Sequence, residues 1–485
     1  MGRNKAKASF LMVLILAAVL LVSCKKQTDE DLLVDDQDLF SSAETSEAGS
    51  KTEATMETRI LEESFFLDVP DVSASESMKY RMTPSYWPFA SDGSYLYFVN
   101  GLPGTEYGFL TAADKATGKL IPLCLKQGCT HSDPSCDACI ELNGNMGSFV
   151  FSRVGKKLLF ATANGPQTTV RSVDLTRCEY RKEGTINLDK YNENGAGYSG
   201  TMNPYGTFFG EEYCYWTIQT KTVSYREIEG GFQIPDERNF RPVAVLYDLR
   251  SREETQVFQD TYESWYMAEV QVFPDEEKVY SLVMLQKLAY EDAEESGTEE
   301  AEKSASSVGS TLVLNVWDRE SRENQEIYRE EIDFFPGKCV LHDGKILIEG
   351  RSTINDTEKA DLYELDPDRK KLTHLRTIPM NGSIFLYFAG DSIFTFSAEG
   401  KTVSRAHLIE AHIVQYDLEG NPLNQAVSEV ELPFAGGIFQ FCGYDGAYLY
   451  LFTRKIDAEK SYDLFLDCVF AAVPVNGGQG VVFGE

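Results

Sequence analysis

Five residues able to bind a metal or form cross-links lie close together near position 130. They are Cys124, Cys129, His131, Cys136 and Cys139, in a chain with ten cysteines among 485 residues. Thiolate and imidazole ligands at such short spacing are typical of a structural zinc site, here with three thiolates and His131 or with four thiolates. In an oxidising compartment the four cysteines would instead form two disulfides. The sequence leaves both interpretations open.

Other reactive sites are not evident in the sequence. Cys136-x-x-Cys139 is followed by Ile140, not by the histidine of a haem-attachment motif, and it does not open a helix in a βαβ unit. The motifs of serine hydrolases, phosphate-binding loops and zinc proteases are missing. The remaining histidines stand singly in or beside predicted strands: His342, His374, His407 and His412. We therefore predict no catalytic or cofactor-binding residue apart from the zinc alternative, and a non-enzyme is favoured.

The chain begins with the pattern of an export signal. Three basic residues precede an apolar run over residues 8–22, which at about 15 residues is shorter than a membrane-spanning helix of roughly 20. Leu21-Val22-Ser23-Cys24 closes this run and resembles the bacterial lipobox. The resemblance implies a lipoprotein signal peptide over residues 1–23, cleavage before Cys24 and acylation of its thiol. We expect a lipid anchor in the cell membrane and a domain outside the cytoplasm.

Composition separates a stalk from a folded domain. Residues 25–60 carry ten acidic and four basic side chains and few large apolar groups, too few to offset the entropy of ordering. We therefore predict a flexible, disordered stalk over residues 24–60, including the lipidated cysteine, and one domain over residues 61–485. The formal net charge of −31 repels phosphate backbones and anionic lipid surfaces. It excludes nucleic acid as a partner and leaves the lipid as the only membrane contact.

From about residue 80 the sequence predicts an all-β fold. Seven times, a short run of alternating aromatic and β-branched residues leads through a turn into a second run rich in Tyr, Phe and Leu. Three of these turns are Asp92-Gly93, Asp343-Gly344 and Asp445-Gly446. A third run then ends at a residue whose side chain can start a turn into a fourth run. These residues are Asp114, Asp174, Asp248, Asp318, Asp366, Asp417 and Asn476.

Seven repeats of four strands indicate a β-propeller with seven four-stranded blades. The strand that closes the last blade is supplied either by residues 59–68 or by residues 481–483. As a whole, residues 80–485 resemble the extracytoplasmic β-propeller lipoproteins of unknown function found in clostridia-type bacteria. The resemblance is carried by the blade pattern, the lipobox and the cysteine motif, and it is sharpest from Pro122-Leu123-Cys124 to Cys136.

Three insertions are predicted to project from one face of the propeller. They are the cysteine loop at 124–147, read as a blade-to-blade connection, and insertions at about 219–240 and 288–310 between the second and third strands of blades 3 and 4. The last of these is acidic and is expected to be disordered. Because binding is usually carried by loops on a rigid scaffold, we expect a surface-anchored, non-catalytic module for an extracellular protein, peptide or glycan. The alternative is an extracellular propeller hydrolase or lyase acting on glycan.

Replacing the predicted anchor tests the lipoprotein assignment. The substitution Cys24→Ala removes the only thiol that the lipobox pattern presents for acylation, so the chain should stay uncleaved or be released from the membrane. Detergent partitioning and mass spectrometry of the N-terminal peptide measure both effects. An unchanged lipid mass and unchanged partitioning would contradict the assignment.

Overall fold

The computed structural model describes most of the chain between residues 82 and 483. All described residues belong to one compact unit, Arg59–Glu485, so the signal and stalk predictions for residues 1–60 lie outside them. Within this part no α-helix occurs, and no helix is long and apolar enough to cross a membrane. The described ranges are 82–83, 89–101, 107–131, 133–141, 149–164, 167–187, 190, 201–202, 207–209, 212–227, 233–263, 267–289, 306–353, 358–383, 385–403, 406–433, 438–454 and 468–483.

Seven antiparallel sheets follow one another along the chain and form the blades of a seven-bladed β-propeller, which confirms the predicted fold. Blade 1 contains Phe89–Ser91, Tyr95–Gly101, Tyr107–Asp114, Leu120–Pro122 and Cys139–Glu141. Blade 2 contains Phe149–Val154, Lys157–Asn164, Gln167–Asp174 and Glu179–Asn187. Blade 3 contains Thr201–Met202, Thr207–Phe209, Tyr213–Glu227, Gln233–Asp248, Glu254–Gln259 and Tyr262–Glu263.

The remaining four blades repeat this order. Blade 4 contains Met267–Pro274, Lys278–Ala289, Ser306–Asp318 and Asn324–Ile332, and blade 5 contains Phe335–His342, Lys345–Arg351, Lys359–Asp366 and Lys371–Pro379. Blade 6 contains Tyr387–Ala389, Ser392–Val403, Ala406–Tyr416 and Pro422–Leu432, with the added strands Met82–Thr83 and Gly478–Gln479. Blade 7 contains Ile438–Tyr444, Tyr448–Arg454, Cys468–Pro474 and Val481–Val482.

The antiparallel order gives the propeller two different faces. The connections from strand one to two and from strand three to four lie on one face, which we call the turn face. The connections from strand two to three and from blade to blade lie on the other, which we call the hairpin face. On the turn face, the predicted Asp turns are confirmed: Asp248 Oδ1 accepts hydrogen bonds of 2.7 and 3.0 Å from the backbone amides of Arg250 and Ser251. Asp114, Asp174, Asp318, Asp366 and Asp417 cap their turns in the same way.

The apolar core lies between neighbouring blades. Leu347 and Leu362 of blade 5, for example, pack in one cluster with Phe388 and Ile393 of blade 6. Further clusters join blades 3 and 4 and blades 4 and 5. A single blade has two apolar faces and buries them only against its two neighbours, so the fold is stable as a closed ring.

The two ends of the domain both take part in closing the ring. Val481–Val482 pairs with Ala471 and Ala472 and supplies the fourth strand of blade 7, as one of the two predictions has it. The other predicted closing segment, residues 59–68, lies outside the described residues. Just before it, Gly478–Gln479 pairs in parallel with the fourth strand of blade 6. Met82–Thr83 pairs with the first, innermost strand of blade 6, with Met82 opposite Ala389. Because Ala389 precedes the turn on the turn face, Met82 lies at the turn-face end of its two-residue strand.

Ion pairs join blade 1 to both of its neighbours, blade 2 and blade 7. Arg153, in the first strand of blade 2, lies 3.2 Å from Asp92 in the first turn of blade 1, and both side chains are fully buried. At the boundary where the ring closes, Lys115 of blade 1 lies 2.6 Å from Asp445 of blade 7. There the rings of Phe98 and Phe470 also stack with their centroids 3.8 Å apart.

The buried pair at the boundary of blades 1 and 2 predicts a large effect of a single substitution. Arg153→Met leaves the carboxylate of Asp92 buried without its cation, which should lower the free energy of unfolding by about 3–5 kcal/mol. Urea denaturation measures this. The matched control is Arg181→Met, because Arg181 pairs with Glu179 at an exposed site and should cost less than about 1 kcal/mol. Equal effects of the two substitutions would contradict the role of the buried pair.

The closing pair predicts a pH dependence. Burial alone would raise the pKa of Asp445, but hydrogen bonds from Lys115 and Tyr450 outweigh it and hold the pKa below its ordinary value. A carboxyl group with a depressed pKa stabilises the fold at pH values above its ordinary pKa of about 4. This contribution is lost as the pH falls through the pKa of the folded state. At pH 7 the wild type should therefore be more stable than Asp445→Asn by about 2 kcal/mol, and this difference should shrink in acid. Denaturation curves from pH 7 to pH 3 measure this difference in the free energy of unfolding. A difference that stays constant over this range would contradict the stabilising role of the ionised Asp445.

Candidate functional site

The cysteine loop is an excursion from the outer edge of blade 1. Pro122 pairs with Thr111 and Cys139 pairs with Phe109, so the chain leaves the edge of the third strand and returns to it. The prediction that this loop connects two blades on the insertion-bearing face is therefore wrong. The two halves of the fourth strand have only three residues each, too few for an alternating pattern to show that the second half is a strand.

Both ends of the loop are fixed by hydrogen bonds. The amide of Leu123 donates to the carbonyl of Leu110 over 2.9 Å, and the amide of Leu110 donates to Ala138 over 2.9 Å. The hydroxyl of Tyr180, in the outer strand of blade 2, donates to the carbonyl of Leu123 over 2.6 Å. The loop thus lies at the rim of the propeller, against the neighbouring blade.

Four of the five predicted side chains converge within this loop. The sulfur atoms of Cys124, Cys129 and Cys136 and a ring nitrogen of His131 all lie within 4.8 Å of one another. His131 Nδ1 is 3.4 Å from Cys136 Sγ. The sulfur of Cys139 is not in this group; its side chain packs against the apolar core of blade 1. No disulfide joins the cysteines that the structure describes.

Backbone geometry turns the four ligand atoms toward one centre. His131 has a φ of 50°, a left-handed conformation that is uncommon for residues other than glycine. The amide of Lys126 donates to Cys124 Sγ over 3.4 Å, and the amide of Ala138 donates to the sulfur of Cys136. Each of these two sulfurs therefore accepts a hydrogen bond from the residue two positions later, an interaction that favours a thiolate.

Burial sets the protonation states in the absence of a metal. Burial lowers the pKa of His131, so its imidazole is neutral, the form in which it binds metals. Burial also raises the pKa of the Cys136 thiol well above its ordinary value. Close by, Cys178 has a pKa of about 11, raised by burial and by the neighbouring Cys124 and Asp174. The cluster therefore combines the neutral imidazole of His131 with the protonated thiol of Cys136, which a soft divalent metal would deprotonate on binding.

The hairpin face carries a second candidate site. In blades 3, 4 and 6 the second strand has 15, 12 and 12 residues, whereas it has seven in blades 1, 5 and 7. At about 3.4 Å per residue, these three hairpins extend roughly 15–25 Å further than their neighbours. Blade 5, whose second strand has seven residues, lies between the long hairpins of blades 4 and 6. We call the space between these two hairpins, over the described part of blade 5, the recess.

Two of these three hairpins correspond to predicted insertions. The insertion at 219–240 is a paired extension of blade 3, in which Val223 lies opposite Arg238. The predicted insertion at 288–310 begins as a paired extension in blade 4, and its acidic part at 290–305 lies outside the described residues. The hairpin of blade 6 was not predicted. The distance from Asp366 to Asp417 is that of an ordinary blade, because the connections in this blade are short.

The single histidines do not join the cysteine cluster, and His407 lies in the long hairpin of blade 6, opposite Thr402. His374 is 3.0 Å from a carboxylate oxygen of Asp361, and His412 is 2.9 Å from Glu410. His342 lies 3.4 Å from the exposed Asp343, and the side chain of His407 lies outside the described residues. A buried carboxylate that the sequence did not reveal, Glu349, bonds Arg351 and the amide of Leu386. It joins blades 5 and 6 below the recess.

The chain has structural similarity to known proteins at low sequence identity. No protein-family model and no curated protein sequence matches the chain. Among solved structures, it is similar to oligogalacturonate lyase from Vibrio parahaemolyticus (11% identity, TM-score 0.37, 71% of this chain and 78% of that one). It is also similar to TolB from Acinetobacter baumannii (11%, 0.30, 72% and 65%) and to acylaminoacyl peptidase from Pyrococcus horikoshii (10%, 0.34, 80% and 52%).

These similarities carry no argument about the function of this chain. The chain spans about two thirds of the TolB chain and about half of the peptidase chain. The fold is defined by the chain's own seven sheets, and the β-propeller hosts many unrelated activities. The chain is thus a seven-bladed β-propeller protein, and its function must be argued from its own surface.

Proposed function

We propose that this protein is a surface-anchored lipoprotein whose propeller is a non-catalytic module that binds an extracellular protein, peptide or glycan. The observation that carries this proposal is the concentration of long hairpins on one face. Three of seven blades extend their second and third strands there, whereas the turns of the opposite face are short. A rigid scaffold with variable extensions on one face is the usual arrangement of a recognition surface.

The recess between the hairpins suits a ligand larger than a metabolite. The hairpins are paired β-structure along the described part of their length, so their backbones are ordered before a ligand arrives. Pre-ordered surfaces lose less entropy on binding than flexible loops do. Met82, the first described residue, lies at the turn-face end of its strand, on the side opposite to the long hairpins.

The lipid anchor completes the proposed function. Acylation of Cys24 would hold the module at the outer surface of the cell membrane, where extracellular proteins and glycans are present. The net charge of −31 keeps the domain away from anionic lipid. The lipid is therefore the proposed membrane contact, and the hairpin face is the proposed contact with the ligand.

Shortening two hairpins tests the binding face. One variant replaces residues 224–237 of blade 3 with Asn-Gly, and the other replaces residues 401–408 of blade 6 in the same way, because Asn-Gly closes a two-residue hairpin. Binding of each purified variant to a glycan array and to a peptide array is compared with the wild type. For the glycan or peptide that the wild type binds on the array, we expect the affinity of each variant to be lower by at least about tenfold, or 1.4 kcal/mol. The midpoint of thermal unfolding should be unchanged.

The matched control lies on the turn face. Lys156→Ser and Glu276→Ser change exposed residues in first-to-second strand turns of blades 2 and 4 and should leave binding unaltered. Loss of binding in the control alone would move the site to the turn face. The appearance of shorter glycan products during the incubation would overturn the non-catalytic assignment.

A further inference from the structure

The cluster at the rim of blade 1 contains an odd number of converging thiols. The ligand atoms of Cys124, Cys129 and Cys136 converge with that of His131, while the sulfur of Cys139 is not in this group. Cys139 is half-buried and packs against the apolar core of blade 1. One disulfide would consume two of the three sulfurs and leave the third thiol buried beside the imidazole. A tetrahedral zinc ion uses all four groups, so a single ligand accounts for the whole arrangement.

We propose that Cys124, Cys129, His131 and Cys136 bind one Zn²⁺ ion, with Cys139 outside the coordination sphere. With zinc–sulfur bonds of about 2.3 Å, tetrahedral sulfurs stand about 3.8 Å apart. The ligand atoms lie within 4.8 Å of one another, so a contraction of about 1 Å closes the site. Binding breaks three S–H bonds, releases three protons to solvent and forms three Zn–S bonds and one Zn–N bond; no group is oxidised or reduced.

The surroundings of the sulfurs fit thiolate ligands. Three thiolates and one Zn²⁺ ion carry a net charge of −1, which the surrounding peptide dipoles must stabilise. The amides of Lys126 and Ala138 donate to Cys124 and Cys136, and such bonds to ligand atoms orient and tune a metal site. The ammonium of Lys126 is held in the same loop by a 2.7 Å hydrogen bond to the carbonyl of Ser135. Soft thiolate ligands select zinc over calcium or magnesium.

The geometry assigns the ion a structural role. Four protein ligands close a tetrahedral site and leave no position for a substrate. The segment 123–138 has few large apolar side chains, and one of them, Leu125, is 43% exposed. The middle of this segment is therefore held only weakly by burial of apolar side chains. The zinc ion would supply the cross-link that holds it in place. Because the hydroxyl of Tyr180 bonds the carbonyl of Leu123, the ion clamps the rim of blade 1 against blade 2.

Metal content and ligand variants test the site. The full-length chain, purified in detergent without oxidant, should contain one zinc per molecule by elemental analysis. Cys136→Ala and His131→Asn should weaken zinc binding more than about 100-fold, beyond the 10–100-fold cost of losing an outer-shell partner. Asn is chosen at position 131 because it tolerates the left-handed backbone there. The matched control Cys139→Ser should retain wild-type zinc.

Spectroscopy on the wild-type chain tests the metal site without depending on whether the variants fold. Replacement of zinc by Co²⁺ should give the intense visible bands of a tetrahedral site, and zinc X-ray absorption should fit three sulfurs at about 2.3 Å and one nitrogen at about 2.0 Å. A fit with four sulfurs would overturn the assignment of His131. A zinc-free chain, or one whose mass falls by two hydrogens per bridge without reductant, would overturn the metal site. None of these outcomes depends on the hairpin face.

Discussion

Closure of the ring is the constraint on which the rest of this structure depends. Each blade buries apolar side chains on both faces, and it can do so only between two neighbours. An open ring would expose one face of blade 1 and one of blade 7. Stacked aromatic rings and the pair of Lys115 with Asp445 close that boundary, and the C-terminal strands join blade 7 to blade 6.

Buried charges add specificity to this apolar packing. Arg153 reaches from blade 2 to Asp92 of blade 1, and Glu349 of blade 5 accepts a hydrogen bond from the amide of Leu386 in blade 6. A carboxylate without its partner at such a position would be strongly destabilising, so each pair disfavours a ring in which the neighbours are shifted. With the ring fixed in this way, the hairpins and the cysteine loop can vary without disturbing it.

The sequence predicts the repeating parts of the fold well because their signals are local. An aspartate that caps its own turn acts within a few residues, and six such aspartates mark the blades correctly. The Asp343-Gly344 turn has positive φ at both residues, 47° and 74°, as its sequence indicates. The sequence also selects the residues that converge in the cysteine loop, since their spacing alone is distinctive.

The parts that could not be predicted depend on contacts between distant residues. Cys139 stands outside the group of converging ligand atoms, and its position depends on its pairing with Phe109, thirty residues away in the chain. The pairing of Met82–Thr83 with blade 6 joins segments about 300 residues apart, and a two-residue strand leaves no periodic pattern. In blade 6 the long hairpin is accompanied by short connections between strands. The spacing from Asp366 to Asp417 is therefore that of an ordinary blade and gives no sign of the hairpin.

The central claim is that the closed ring is one cooperative unit, and that the cysteine loop and the three long hairpins extend from it without stabilising it. Hydrogen exchange tests this claim most directly. In the native chain, amides in the second and third strands of all seven blades should exchange together, through global unfolding. The loop at 123–138 and the outer ends of the hairpins should exchange earlier, without altering the ring. If the blades instead lose protection one by one, or if opening the cysteine loop with a zinc chelator deprotects the strands of the ring, the account is contradicted.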